Sequence, residues 1–211
     1  MSHHIDTTPE IMLEARSTRD RVALAVSKYF SPLTAALVGN LMAAYAVEQG
    51  FATGIKWVLI TLAIQILPVA LLYEIRIAQG KITDPEISHR KERNEAFLMG
   101  SLTMSVAVIV LSVYNAPASV LALAASFLAI AVLCGIINVW WKISMHASSI
   151  AAVATIATMQ SRSLGAVFWL IVLAVAWSRL HTRNHTRGQV VAGTLLATTV
   201  VYVMYRYIVV V

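Results

Sequence analysis

Ala118–Val139 reads ASVLALAASFLAIAVLCGIINV. None of these side chains is charged, and as one helix the run can cross about 30 Å of hydrocarbon. Its small residues, as in Ala122-Leu123-Ala124-Ala125, let neighbouring helices approach closely. Comparable apolar runs lie on either side, near 31–48, 54–77, 96–114, 146–160, 164–178 and 189–209. Turn residues punctuate them: Gly50 with Gly54, Asn115 with Pro117, and Ser161-Arg162-Ser163. Pro68 falls inside its run and should kink it. The fifth and sixth runs are short and read as a shallow or tilted hairpin. The sequence predicts an all-α, polytopic transmembrane helix bundle of six or seven spans, about seven.

Composition supports this. Of 211 residues, 59% are hydrophobic and only 12% charged, against about 25% charged in soluble domains. Residues 31–211 form one unit. Residues 1–30 are polar and charged, unlike a cleaved secretory leader. Within them, 10–29 read as an amphipathic helix on the membrane surface, with Ile11, Leu13, Val22, Leu24 and Val26 toward lipid. The single Cys134 excludes an intramolecular disulfide and a cysteine zinc site, and reads as packing. The net charge of +6 does not imply a nucleic-acid partner, because the basic residues flank the spans.

Seven spans would place the N-terminus, 78–95, 140–146 and 179–188 on one face. Arg16, Arg19, Arg21 and Lys28 already make the N-terminal segment basic, whereas the opposite face holds only Lys56, Arg162 and Arg206. The basic face is therefore expected to be cytoplasmic. The three segments with unusual polar residues share that face.

The third segment runs Ser178-Arg179, five residues, His185, three residues, Gln189. Arg179 offers a planar donor fork suited to phosphate oxygens, and an imidazole at His185 can carry a phosphoryl group covalently. The bland reading is a wet, positive loop. The second segment is Ile143-Ser144-Met145-His146 at a helix start, where unpartnered N–H groups favour an anion. Ser144 adds a hydroxyl, Lys142 a charge, and His146 an imidazole placed to protonate a leaving oxygen. Here the bland reading is a Ser144 N-cap beside an interfacial histidine. The first segment, Thr83–Glu95, puts Arg90 and Arg93 on one helix face, able to clamp a phosphate or diphosphate. It also reads as an ordinary solvated charge run.

Together the segments resemble the signature of the type 2 phosphatidic acid phosphatase superfamily: Lys-x6-Arg-Pro, Pro-Ser-Gly-His and Ser-Arg-x5-His-x3-Asp. Ser178, Arg179 and His185 match the third motif with its spacing, Ser144 and His146 match the second, and Arg93 takes the place of the arginine in the first. The departures are Glu86 for the lysine, Asn94 for the proline, Ile143 and Met145 in the second motif, and Gln189 for the aspartate. Lys81 or Arg90 would have to replace the missing lysine. The pattern Asp84-x5-Arg90-x2-Arg93 is similar to a divergent prokaryotic branch.

The resemblance implies an integral inner-membrane phosphatase acting on a prenyl or phospholipid phosphate or diphosphate held in the bilayer. His185 would be the nucleophile and His146 the general acid. Arg93, Ser144 and Arg179 would hold the phosphoryl oxygens, helped by Arg90 or Lys142. It implies no cofactor and no metal. No Asp or Glu follows Glu95, so either Gln189 alone orients His185 or a carboxylate of the first segment, such as Asp84, reaches it.

Three other readings fit the chain. One is a lipid phosphotransferase with the same histidine chemistry. Another is a haem- or metal-binding subunit using His89, His146, His181 and His185, in which His181 and His185 would share a helix face. The last is a non-catalytic membrane subunit. Self-association as a homo-oligomer is compatible with all of them.

Overall fold

A computed structural model describes residues 17–47, 50–82 and 93–209. Among these, helices joined by short turns and loops make up the chain, with no strand. In chain order the helices are α1 (Thr18–Tyr29), α2 (Pro32–Tyr45), α3 (Phe51–Thr61), a π turn (Leu62–Ile66), α4 (Leu67–Ala78), α5 (Arg93–Val113), α6 (Ala118–Asn138), α7 (Met145–Gln160), α8 (Arg162–His181) and α9 (Arg187–Ile208).

Among the described residues, five helical segments are long and apolar enough to cross a membrane: Ala52–Ala78, α5, α6, α8 and α9. The count reaches six if α1 and α2, bent by 47° at their junction, form one broken span. Helix α7 has 16 residues, about 24 Å at 1.5 Å per residue, less than a full crossing. The sixth run is longer than its sequence suggested, because α8 begins at Arg162 and continues to His181. Pro68 sits in the first turn of α4, directly after the π turn. The wider turn accommodates a residue that has no N–H to donate.

Helix α7 is the centre of the bundle. Ala147, Ile150–Ala154, Ile156 and Ala157 are buried, and α2, α8 and α9 pack around it. Large apolar side chains such as Leu59, Leu98, Leu102, Ile109, Leu170 and Leu173 point outward instead. Small residues inside and large aliphatics outside are the pattern of helices that associate in lipid. The α7–α8 hairpin is tight: a Cβ on Gly165 would lie 2.4 Å from the Thr158 Oγ1.

Helix α1 packs one face against the bundle. Val22 is exposed, but Ala23 and Ser27 are completely buried against α8. The Ser178 hydroxyl donates to the Ala23 carbonyl at 2.6 Å. Asp20 meets His181 at 2.8 Å, and the His181 ring stacks on Trp177 at 5.3 Å between centroids. Ile11 and Leu13 lie outside the described residues.

Candidate functional site

The three polar segments meet at one end of the bundle, and named contacts join them. Arg93, the first residue of α5, donates from Nη1 to the Ile143 carbonyl at 3.1 Å. The Ser144 N–H approaches the Gln189 carbonyl at 3.4 Å. Gly193 makes that approach possible, because a Cβ there would lie 2.8 Å from both the Ser144 carbonyl oxygen and the Ser148 Oγ.

Ser144 caps α7, accepting the Ala147 N–H at 3.4 Å. This places His146 in the first turn of the helix. The His146 ring is buried, hydrogen bonds the Ser27 backbone, and lies within electrostatic reach of Arg179, His185 and Arg93.

Helix α8 ends at His181 and the chain reverses through Arg183, whose φ of 55° is left-handed. A non-glycine residue there costs about 1 kcal/mol. The reversal brings the His185 N–H to the Arg179 carbonyl at 3.3 Å. His185 therefore stands in the turn, not on a helix face with His181, and the shared-face geometry expected for a metal pair does not form. Arg179 is fully buried, and its Nη1 donates to the Ser27 hydroxyl.

Gln189 decides the state of the His185 ring. Its Oε1 accepts the Thr186 N–H at 3.1 Å and lies 3.1 Å from His185 Nδ1. An atom that accepts from a backbone N–H is the amide oxygen, so Nδ1 must donate to it. In a neutral imidazole the proton is then on Nδ1 and the lone pair on Nε2. Nε2 is buried and has no hydrogen-bond partner among the described residues. Burial first, then the charges of Arg93, Arg179 and Lys142, push the His185 imidazole down to about 3, while the Gln189 bond acts the other way. The ring is thus neutral at physiological pH.

The structure brings His146, His185, Arg93 and Arg179 together, with Ser144, Lys142 and Gln189 bordering them. Arg90 and Asp84 lie outside the described residues. Lys81 is exposed. Asn94, at the position of the motif proline, accepts from Asn138 Nδ2 at 3.0 Å and so ties α5 to α6. Of the acidic residues of the first segment, Glu95 is described and pairs with Arg76 at 2.6 Å. Ser27 was not among the expected site residues. A signal for it was present, since Asp20, Ala23 and Ser27 recur at i, i+3 and i+7 on one small and polar helix face.

Among the described residues these features define a helical bundle with helices long and apolar enough to cross a membrane, and a buried cluster of two histidines and two arginines at one end. No family model, curated protein or solved structure matches the chain.

Proposed function

We propose that this protein is a membrane lipid phosphatase working through a phosphohistidine, as its resemblance to the type 2 phosphatidic acid phosphatases implies. In this reading α2, Ala52–Ala78 and α5–α9 make seven crossings, with α7 the short one and the pocket on the cytoplasmic face. The observation that carries the reading is His185: proton held on Nδ1 by Gln189, lone pair on a buried Nε2, and Arg93, Arg179 and Lys142 within electrostatic reach.

The chemistry then balances. His185 Nε2 attacks phosphorus as the bond to the leaving oxygen breaks, and His146 gives its proton to that oxygen. Water next attacks the phosphohistidine, His146 takes the water proton, and phosphate leaves. Arg93 and Arg179 carry the charge that develops on the phosphoryl oxygens, with Lys142 and the Ser144 hydroxyl assisting. A bound phosphate dianion offsets the mutual repulsion of the cations and lets His146 hold its proton. An apolar scaffold suits a substrate whose prenyl or acyl tail stays in the bilayer.

The test is phosphate release from prenyl phosphate, prenyl diphosphate and phosphatidic acid, with EDTA present. His185→Ala and His146→Ala should each lower the rate by about 10²-fold or more. Equal release by the variants and the wild type would rule the mechanism out.

A further inference from the structure

Helix α1 reaches the histidine–arginine cluster from outside all three motif segments, and among the described residues Ser27 is where it meets Arg179 and His146. Ser27 is completely buried. Its hydroxyl accepts from Arg179 Nη1 and lies 3.3 Å from the Ser178 hydroxyl, while its backbone hydrogen bonds the His146 ring. One residue thus contacts both a phosphate-holding side chain and the proton donor, using different atoms for each.

We propose that Ser27 is a positioning residue of the phosphoryl-transfer site, its hydroxyl aiming the Arg179 guanidinium and its carbonyl fixing the His146 ring. The proposal rests on the phosphatase reading above. An arginine has many rotamers, and fixing one before substrate arrives removes that ordering cost from binding. The carbonyl sets the His146 tautomer as Gln189 sets that of His185. The ring nitrogen facing a carbonyl must carry hydrogen, so in the neutral ring the other nitrogen is the basic one. Once that nitrogen is protonated, both N–H groups can donate together, one to Ser27 and one to the leaving oxygen, and the ring need not turn.

The hydroxyl and the carbonyl separate experimentally, because Ser27→Ala removes only the first. The full chain in detergent is titrated with inorganic phosphate by calorimetry, and kcat and KM are measured on the best lipid phosphate across pH. A hydrogen bond to a charged group is lost, so phosphate affinity should fall about tenfold or more. KM should rise in parallel, while the pH dependence of kcat stays that of the wild type. Asp20→Asn loosens the same α1–α8 contact at its rim without touching Arg179 or His146, and should leave phosphate affinity unchanged. If Ser27→Ala does not fold, Ser27→Cys preserves the packing with a poorer acceptor and should show the same loss.

Wild-type phosphate affinity in Ser27→Ala or Ser27→Cys overturns the role of Ser27 and leaves the phosphatase reading standing. Equal losses in Ser27→Ala and Asp20→Asn overturn it too, since α1 would then act only as scaffold. A wild type that neither binds phosphate nor releases it overturns both.

Discussion

Gln189→Ala tests the link between ring orientation and reactivity. Two hydrogen bonds vanish, from His185 Nδ1 and from the Thr186 N–H, both 3.1 Å long. The Gln189 N–H bond to the Thr186 hydroxyl at 3.4 Å survives, so half of the α9 capping box remains. At about 0.5–1.5 kcal/mol each, the two lost bonds cost about 1–3 kcal/mol of stability. The lower end is expected, because Thr186 is exposed and water can take its N–H. The effect on chemistry should be larger. Without an acceptor at Nδ1, the neutral ring can carry its proton on Nε2, the attacking atom of the proposed mechanism. One orienting bond is worth about tenfold in rate at 1.36 kcal/mol per decade, and a wrong tautomer adds to this. Phosphoenzyme formation under single-turnover conditions should slow about 10- to 100-fold, with phosphate affinity within about twofold of wild type. Gln189→Glu, which keeps an acceptor at that position, should retain most of the rate. An unchanged rate in Gln189→Ala would refute the orienting role and the tautomer argument with it.

Three further outcomes follow from the same geometry. The His185 imidazole is held at about 3 in the fold, against about 6.5 in an unfolded chain, so the unfolded chain binds the extra proton between these values. The stability due to keeping this ring neutral is complete above about 6.5 and is lost as pH falls toward 3; melting temperatures should drop over that window, less steeply in His185→Gln. Gly193→Ala puts a methyl 2.8 Å from the Ser144 carbonyl oxygen, so it should cost about 1–3 kcal/mol, read as a lower melting temperature, and should weaken phosphate binding by prising α9 from the start of α7. Arg93→Lys keeps the charge but loses the fork geometry that reaches the Ile143 carbonyl, so phosphate release should fall about tenfold or more, with smaller loss of stability.

The helices were legible because lipid imposes a simple rule. A segment of suitable length without charges must satisfy its own backbone, and α5, α6 and α9 fall within a few residues of the apolar runs. The π turn was not legible, since Pro68 announces a disturbance without saying which form it takes. The length of α8 was missed because Arg162, Arg179 and His181 read as boundaries, yet Arg179 is buried inside the last turn. The convergence of the motif segments agrees with the order of the helices, two of which stand between each segment and the next. The fourth contributor was legible only in part, as one position of the small and polar helix face it shares with Asp20 and Ala23. Ser27 is an unremarkable residue in a polar segment, and only tertiary packing sets its hydroxyl against Arg179.

The same packing explains why an amide suits the position after His185. Arg93, Arg179 and Lys142 all act on that ring, and no acidic residue follows Glu95 in the chain. A carboxylate beside His185 would orient Nδ1 equally well, but its charge would also draw the nearby guanidiniums, the groups that the proposed mechanism assigns to the phosphate. An amide oxygen orients the ring through its dipole alone and leaves the positive field intact. The consequence is a trade. The field gathers an anion strongly, while the Gln189 hydrogen bond is outweighed by burial and the cations and favours an imidazolium at His185 only weakly. The ring should therefore remain neutral until a phosphoryl group arrives, and the site should bind phosphate more tightly, and release it more slowly, than Gln189→Glu, in which the carboxylate offsets part of the cationic charge.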